Sequence, residues 1–372
     1  MTITNPLCLV NEFGQSFWLD DLRRDLITSG ELKRLIEEDC VRGLTSNPTI
    51  FQKAIMGSTD YDEQIRQLNA QQKSVEEVYE GLVLDDIRAA ADLFYPLYID
   101  SQGGDGYVSI EVSPRLAYDT EGTIQEAMRF WKEIDRPNIM IKIPATHQGV
   151  PAVERVISEG INVNVTLIFS LERYQAVVDA YLKGLRTLQA KGGDVSKVAS
   201  VASFFVSRVD VAIDKLLEEK IAAGAEVQGL LGKAAIANAA LAYEIWEGVF
   251  GGERFADLKA LGAKSQRLLW ASTGTKNPNY RDVLYVEELI GVETVDTLPP
   301  ATLKAFKDHG VARATLVSQT AQAHATSTGL QAAGIDMQAV TQQLEDEGVK
   351  SFSASFEDLI NSLAAKREVV SV

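Results

Sequence analysis

Short β-like runs alternate with helix-like stretches along most of this chain, and this alternation limits the possible folds more than any other feature. The eight runs are Ser16–Asp20, Val41–Ser46, Tyr107–Val112, Asn138–Ala145, Asn162–Phe169, Lys197–Phe205, Arg267–Thr273 and Val292–Thr297. Between them lie stretches such as Ser74–Leu97, in which apolar residues recur at helical spacing. Strands separated by helices form parallel sheets through right-handed βαβ crossovers. The sequence therefore predicts an α/β fold in which eight units close into a (β/α)8 TIM barrel.

Three segments depart from a minimal barrel of this type. Pro48–Ala70 is expected to insert helices after the second strand, and Ile221–Gly262 is an alanine-rich, glycine-punctuated helical segment before the seventh. The tail from Ala312 is expected to be helical to about Lys366 and to pack beside the barrel. No linker, repeat or low-complexity tract divides the chain, so we expect a single domain over residues 1–372.

The charge of the chain excludes several classes of partner. Its 372 residues include 36 Lys and Arg against 52 Asp and Glu, which gives a net charge of −16. Nucleic acids and anionic membranes attract proteins with a surplus of cations, so neither is an expected partner. An anionic small substrate remains open, because a few buried cations can bind a phosphate within a negative surface. A homo-oligomer also remains open.

Cysteine and histidine are too few and too scattered for several kinds of site. Cys8 and Cys40 cannot form a disulfide framework, and neither lies in a CxxC motif. His147, His309 and His324 lack metal-ligand spacing, so no metal centre is expected. The N-terminus does not resemble a signal peptide, and no run approaches the roughly 18–20 apolar residues of a membrane span. We therefore expect a cytoplasmic protein.

Strand alternation directs a group of polar side chains at the barrel axis. In Asn138–Ala145 the residues Ile139, Ile141 and Ile143 share the face that suits the outer helices, so Lys142 points into the lumen. The outward residues of neighbouring strands, by the same argument, are Phe17, Leu19, Val108, Ile110, Val112, Val163, Val165 and Leu167. The inward polar residues near the strand ends are Asp20, Asn47, Glu111, Lys142 and Thr166. Catalytic groups of TIM barrels lie at the carboxyl ends of the strands.

Two structural interpretations compete with a catalytic one. Glu111 and Lys142 would neutralise each other as a buried ion pair, and Thr166 would fill a polar layer of the lumen. Convergence of all these groups at strand ends favours chemistry instead. Burial away from water favours the neutral amine of a lysine, which is a nucleophile, and nearby carboxylates supply acid and base. The set therefore predicts Schiff-base chemistry on a carbonyl substrate.

Motifs in a fixed order resemble those of the transaldolase family over essentially the whole chain. They are GLTSNPTIF (Gly43–Phe51), VSIEVSPRLAYDT (Val108–Thr120), NIMIKIPAT (Asn138–Thr146), GINVNVTLIFS (Gly160–Ser170) and SFFVSRVD (Ser203–Asp210). The segment WASTGTKNPNYRDVLYVEELIG (Trp270–Gly291) is similar to that of the long bacterial branch of the family. The resemblance implies a TIM barrel of the class I aldolase type.

The resemblance also implies a role for each inward residue. Lys142 matches the lysine that forms the Schiff base, and Asp20 matches the carboxylate that takes the substrate hydroxyl proton during carbon–carbon cleavage. Asn47 matches the amide that hydrogen-bonds the sugar near the cleaved bond. Glu111 and Thr166 match the pair that positions water during imine formation and hydrolysis.

Further positions match the substrate-binding part of the family site. Ser203 and Arg208 match contacts to the substrate and its phosphate, and Phe205 matches the aromatic residue beside the Schiff base. One departure is clear after the seventh strand, where many members carry ASFRN with a phosphate-binding arginine. This chain has ASTGTKNPN there, and Ser272 and Lys276 are the candidates for that role.

The implied reaction moves a dihydroxyacetone unit from sedoheptulose 7-phosphate to glyceraldehyde 3-phosphate, giving erythrose 4-phosphate and fructose 6-phosphate, in the non-oxidative pentose phosphate pathway. It requires no metal or organic cofactor. One alternative is a fructose 6-phosphate aldolase, which releases dihydroxyacetone; that group has smaller subunits and a tyrosine near the position of Phe205. The other is a non-catalytic barrel that binds sugar phosphates.

Overall fold

Eight parallel strands form a closed barrel in the computed structural model, which describes residues 5–370. Each strand pairs with the next along the chain, and β8 pairs with β1. The strands are β1 (Gln15–Asp20), β2 (Gly43–Thr45), β3 (Tyr107–Glu111), β4 (Ile139–Pro144), β5 (Val163–Ile168), β6 (Ser200–Phe205), β7 (Arg267–Ala271) and β8 (Thr294–Leu298). The predicted (β/α)8 barrel is confirmed.

Helices surround this barrel and also fill the three segments where insertions were predicted. They are α1 (Pro6–Glu12), α2 (Arg24–Thr28), α3 (Glu31–Glu37), α4 (Pro48–Gly57), α5 (Asp62–Ala70), α6 (Val75–Asp100), α7 (Thr120–Ile134), α8 (Gly149–Ser158), α9 (Leu171–Ala190), α10 (Ser207–Ala222), α11 (Ala234–Phe250), α12 (Glu253–Ala260), α13 (Leu284–Glu288), α14 (Pro300–His309), α15 (Leu316–Ala332) and α16 (Met337–Val370). Within residues 5–370, no helix is both long and apolar enough to cross a membrane.

Local sequence signals account for where several of these helices begin. α6 starts with a capping box, in which Ser74 accepts from the backbone N–H of Glu77 and the Glu77 side chain accepts from that of Ser74. The side chain of Ser170 caps α9. α4 opens with Pro48 directly after its cap Asn47, an order that suits a helix start because proline lacks the N–H that would be unpaired there.

Alternate strand residues pack the layer between barrel and helices. Phe17 of β1 meets Phe306 of α14 edge to face, with ring centroids 5.1 Å apart. On the far side Phe204 of β6 packs against Trp270 of β7 at 6.4 Å and against Tyr174 of α9 at 6.3 Å. These aromatic rings are fully buried. The side chains on the opposite face of each strand fill the lumen of the barrel.

One residue predicted to face the helices does not follow the alternation. The pairing of β5 with β6 is irregular between Val165 and Ile168, and Leu167 has a positive φ of 60°. Its side chain lies against Gly348 of α16, where a Cβ atom would stand 2.9 Å from a Leu167 methyl group. The strict two-residue period fails here because the bulge rotates one side chain out of phase.

The tail is helical as predicted, but its position differs from the prediction. It forms two helices, and α16 crosses the carboxyl end of the barrel instead of lying beside it. The ring of Phe352 lies 5.8 Å from Nζ of Lys142, and Thr49 at the start of α4 donates to Ser355 at 2.9 Å. Phe352 and Leu363 of α16 are buried. The helix lies across the barrel mouth because its apolar face is removed from water there.

A disulfide joins Cys8 and Cys40, whose Cα atoms are 5.1 Å apart. It links α1 to the turn before β2. The spacing of the two cysteines did not predict this bond. They come close only because α1 packs against β1 and α14.

A buried acid lies in the layer outside β8. Asp296 aligns with Phe17 and Trp270 in the two neighbouring strands, so it shares their outward face. It is fully buried, its Oδ1 accepts from Thr273 at 2.8 Å, and its Oδ2 has no partner within residues 5–370. Burial raises the pKa of Asp296 to about 8, so the folded protein holds this proton at neutral pH.

This raised pKa predicts a specific pH dependence of stability. The pKa of the unfolded side chain is 3.8, so between about pH 4 and 8 the folded state binds the extra proton and stability falls as the pH rises. Asp296→Asn removes this effect. The free energy of unfolding of the variant minus that of the unmodified protein should increase by at most about 1.4 kcal/mol for each pH unit up to pH ~8. Above that pH the difference should stay constant. Urea denaturation at several pH values measures the difference.

The matched control is Asp100→Asn, at an exposed position near the end of α6. It should follow the unmodified protein at every pH. A stability difference for Asp296→Asn that does not change between pH 5 and 8 would contradict the assignment of a protonated acid.

Candidate active site

The inward side chains of adjacent strands meet at the carboxyl end of the barrel. Glu111 of β3, Lys142 of β4 and Asn164 of β5 lie side by side in the strand register. Thr166 lies one inward position further along β5, and Asp20 is the last residue of β1. The structure therefore brings the predicted Asp20, Glu111, Lys142 and Thr166 to one end of one lumen, together with Asn164.

Lys142 is the centre of this group. It is 6% exposed, and its Nζ lies 3.5 Å from Oε2 of Glu111 and donates to the backbone oxygen of Ser46 at 3.3 Å. Phe352 of α16 covers the amine at 5.8 Å from the ring centroid. The amine is thus held between a carboxylate, a carbonyl and an aromatic face, with little access to water.

Both carboxylates of the site hold their protons more tightly than usual. Burial raises the pKa of Glu111; nearby Lys142 opposes this increase, and nearby Asp20 adds to it. Burial likewise raises the pKa of Asp20, against the opposing effects of Lys142 and of the hydrogen bond from Thr45. Two carboxylates and one amine therefore share a water-poor space, an arrangement typical of acid–base sites.

Asp20 is oriented by a short chain of hydroxyl groups. Thr45 at the end of β2 donates to Oδ1 of Asp20 at 2.7 Å, and the Oγ1 atoms of Thr45 and Thr297 are 2.6 Å apart. Since Thr45 uses its proton on Asp20, Thr297 donates to Thr45. The sequence patterns assigned no role to Thr45, and Thr297 comes from β8, far along the chain from β2.

Asn47 and Thr166 each present a polar atom that the protein leaves unpaired. Oδ1 of Asn47 accepts from the N–H of Ile50 and caps α4, while its amide NH₂ makes no hydrogen bond within residues 5–370. Oγ1 of Thr166 is buried and makes no hydrogen bond in the same part of the chain, and Oε2 of Glu111 has only its 3.5 Å ion pair with Lys142 there. Buried polar atoms of this kind are normally satisfied by water or by a ligand.

Ser203 belongs to a polar chain that crosses the lumen. Its Oγ donates to Oδ1 of Asn164 at 2.7 Å, and the Asn164 amide donates to Ser109 at 3.1 Å. Ser46 donates to the backbone oxygen of Ser109 at 2.9 Å. This chain fixes the amide of Asn164 and the loop that supplies the carbonyl oxygen beside Lys142.

Phe205 and Arg208 lie together on the other side of the mouth. Phe205 packs against Phe169 with centroids 5.0 Å apart, and the Arg208 guanidinium lies 5.5 Å from the Phe205 centroid. Arg208 is half-buried and makes no ion pair or side-chain hydrogen bond within residues 5–370. Burial lowers its pKa, with Glu347 of α16 acting in the opposite sense. A cation without a partner at the rim of the lumen suits an anionic group of a ligand.

The two candidates after β7 differ in their surroundings. Ser272 has a positive φ of 58°, its Oγ lies 3.1 Å from that of Ser207, and its backbone oxygen accepts from the N–H of Ser207. Ser272 is therefore fixed at the start of α10, next to Arg208. Lys276 is exposed, yet it lies near enough to the mouth to lower the pKa of Asp20.

Residues of α16 were missing from the predicted site. Phe352 covers Lys142, and a buried ion pair of 3.1 Å between Arg173 of α9 and Glu345 fixes the helix over the mouth. No periodic or motif signal links position 352 to position 142, because the contact joins distant parts of the chain. Among residues 5–370, no three His, Cys, Asp or Glu side chains are arranged to hold a metal ion.

Comparisons with known proteins agree with this geometry. The model of the transaldolase/fructose-6-phosphate aldolase family matches residues 17–363. A protein named transaldolase from Saccharopolyspora erythraea is 52% identical over 364 residues, which cover 98% of each chain. Transaldolases of Trichodesmium erythraeum and Mycolicibacterium smegmatis are 49% and 51% identical, over 98% and 96% of each chain.

A closed parallel barrel with a buried lysine and two carboxylates at its carboxyl end is the architecture of a class I aldolase-type enzyme. The chain belongs to the transaldolase/fructose-6-phosphate aldolase family. The resemblance found in the sequence motifs is confirmed.

Proposed function

We propose that the protein is an enzyme that transfers a dihydroxyacetone unit from sedoheptulose 7-phosphate to glyceraldehyde 3-phosphate, with an imine on Lys142 as the covalent intermediate. The observation that carries the proposal is the buried amine of Lys142, 3.5 Å from Glu111 at the carboxyl end of the barrel. The name transaldolase, given to relatives of about 50% identity, supports the transfer reaction. Residues 1–372 act as one catalytic domain, in the cytoplasm, on small sugar phosphates and without a cofactor.

The first step joins the amine to the substrate. The Lys142 nitrogen adds to the ketose carbonyl, and the resulting carbinolamine loses water to form a protonated imine. Glu111 supplies the proton that leaves with this water, a role for which a carboxyl group with a raised pKa is suited. Oε2 of Glu111, beside Lys142, and the unpaired Oγ1 of Thr166 hold the water during dehydration and later hydrolysis.

The second step breaks the carbon–carbon bond. Asp20 takes the proton of the C4 hydroxyl, the C3–C4 bond breaks, and its electron pair moves into the imine to give an enamine on Lys142. The aldose product leaves, and the enamine carbon then adds to the incoming aldehyde, whose oxygen takes the proton back from Asp20. The hydroxyl chain from Thr297 through Thr45 orients Asp20 for both proton transfers.

The remaining residues bind the sugar and its phosphate. The free amide NH₂ of Asn47 and the hydroxyl of Ser203 contact substrate hydroxyl groups, and Phe205 packs beside the imine. Arg208 and Ser272 bind the phosphate, with Lys276 as an outer contact. The supporting observations are the unpaired guanidinium of Arg208 and its closeness to Ser272 through Ser207.

A fructose 6-phosphate aldolase is the second candidate, because the description of the matching family covers both activities. In that reaction the enamine is protonated and hydrolysed, so free dihydroxyacetone appears. Phe205 at the position where such aldolases carry a tyrosine favours transfer, since no phenol is present there to protonate the enamine. The two activities are distinguished by incubating the protein with sedoheptulose 7-phosphate and glyceraldehyde 3-phosphate. The amounts of free dihydroxyacetone and of erythrose 4-phosphate that form are then measured. A barrel that only binds sugar phosphates would form neither product.

The phosphate contacts predict a substrate-dependent loss. Arg208→Ala should raise KM for phosphorylated sugars, by an amount equivalent to roughly 1.5–3 kcal/mol, and hardly affect reaction with an unphosphorylated donor. Lys276→Ala should have a smaller effect of the same kind, because Lys276 is exposed. The exposed Arg313→Ala is the control and should leave KM unchanged. Equal losses on both substrate types would refute the phosphate role.

The two carboxylates predict different kinetic lesions. With Asp20→Asn the imine should still form from fructose 6-phosphate while aldose release becomes very slow, because the base for cleavage is missing. With Glu111→Gln formation of the imine itself should be slow. Rapid-quench measurement of adduct and aldose in each variant checks both, and each variant is the control for the other. The same lesion in both would show that the roles are wrongly divided.

Covalent trapping tests the central step. Borohydride added with fructose 6-phosphate should reduce the imine to a stable secondary amine, inactivate the enzyme and add the mass of a dihydroxyacetone unit or of the whole sugar phosphate. Peptide mapping should place that mass on Lys142. Lys142→Arg should be inactive, because a guanidinium stays protonated, whereas Lys132→Arg at an exposed position of α7 should be fully active. An adduct on any other lysine, or activity of Lys142→Arg, would overturn the mechanism.

A further inference from the structure

The enamine on Lys142 is the intermediate at which the two activities of this family diverge. In transfer, its nucleophilic carbon adds to an aldehyde. In the lyase reaction, water protonates that carbon, the resulting hydroxide adds to the imine carbon, and the carbinolamine breaks down to dihydroxyacetone and the free amine. One water molecule is consumed and no other reactant is needed. The outcome therefore depends on how well water is kept away from the enamine.

Two polar groups and one apolar group approach the Lys142 nitrogen. The polar groups are Oε2 of Glu111 at 3.5 Å and the backbone oxygen of Ser46 at 3.3 Å. The apolar group is the ring of Phe352, whose centroid lies 5.8 Å from Nζ. Phe352 is buried, and its side chain offers water no hydrogen-bond donor. The reactive carbon of the enamine lies two bonds from the nitrogen, so the ring that covers the nitrogen lies over the same small space.

A close contact between α16 and β5 determines how near this ring comes. Gly348 lies four residues before Phe352, so the two share a face of the helix. A Cβ atom on Gly348 would stand 2.9 Å from a methyl group of Leu167, so glycine lets the helix approach without moving that side chain. Leu167 has a positive φ of 60°, which bulky residues rarely adopt. Backbone strain of this kind is found beside functional residues, and here Leu167 directly follows Thr166.

Polar contacts on either side hold Phe352 in this place. Before it, Glu345 accepts from Arg173 of α9 at 3.1 Å, in an ion pair that is largely buried. After it, Ser355 accepts from Thr49 at the start of α4 at 2.9 Å. The helical segment that carries the ring is therefore fixed to two different parts of the barrel mouth. A contact made only by apolar packing would not need both of these directional bonds.

We propose that Phe352 determines the outcome of the reaction: its ring keeps water from the enamine on Lys142, so that the dihydroxyacetone unit is transferred and not released. This inference rests on the transfer reaction proposed above and adds to it a residue of α16. Phe205 favours transfer because it has no phenol to donate a proton. Phe352 acts differently, by excluding water from the intermediate.

The test measures how the enamine divides between aldehyde and water. With sedoheptulose 7-phosphate and a fixed concentration of glyceraldehyde 3-phosphate, each donor that is cleaved releases one erythrose 4-phosphate. The ratio of free dihydroxyacetone to erythrose 4-phosphate is then the share of intermediates lost to water, whatever the amount of folded enzyme. Phe352→Ala should raise this ratio about tenfold, equivalent to ~1.4 kcal/mol in the competition between the two steps. Phe352→Leu, which keeps an apolar side chain, should raise it less.

A second measurement separates access of water from slower addition of the aldehyde. With sedoheptulose 7-phosphate alone, no acceptor competes for the enamine, and free dihydroxyacetone forms slowly after the first turnover. Phe352→Ala should increase the rate of this slow phase, because water reaches the intermediate more readily.

Leu363→Ala is the matched control, because it removes another buried side chain from α16, about three turns further along the helix. It should leave the ratio unchanged. The role of Phe352 would be overturned by an unchanged ratio in Phe352→Ala, by an equal increase in Leu363→Ala, or by an increase that is absent with donor alone. Abundant free dihydroxyacetone from the unmodified protein would instead refute the transfer reaction, and this inference with it.

Discussion

Pairing between β8 and β1 is the constraint on which the rest of the molecule depends. The register runs from Gln15 beside Thr294 to Leu19 beside Leu298 and closes the sheet. In a closed parallel barrel every second side chain points at one axis, and all strands end at the same side. Groups that lie far apart in the sequence, such as Asp20 and Thr297, therefore become neighbours. An open sheet with the same strands would spread these side chains over a surface and leave their charges in water.

Closure also sets the electrostatics of the site. Lys142, Glu111 and Asp20 are removed from water together, and burial is the largest cause of the raised pKa of both carboxylates. The amine limits this effect, since its positive charge favours ionised carboxylates. The group holds one carboxylate more than an ordinary buried ion pair, which contains one carboxylate and one amine.

α16 completes the site from outside the barrel. The ion pair between Arg173 and Glu345 and the contact of Thr49 with Ser355 fix it over the mouth, where Phe352 covers Lys142. The helix adds no inward strand position, but it excludes water from the amine and places Glu347 near Arg208. The two ends of the lumen consequently differ. The carboxyl end is covered by a helix, whereas the amino end opens into a cavity lined by residues near the strand starts, such as Ser16 and Ser200.

The amino-acid pattern predicts the barrel and the inward direction of Lys142, Glu111 and Thr166, because the two-residue period of a strand is a local property that apolar residues reveal. It did not reveal the bulge at Leu167, the disulfide between Cys8 and Cys40, or the hydroxyl chain from Thr297 to Asp20. Nor did it place Phe352 above the amine. Each of these features is a contact between segments that approach only after the sheet has closed and the helices have packed. Local pattern decides which face a residue takes, and only tertiary packing decides what that face meets.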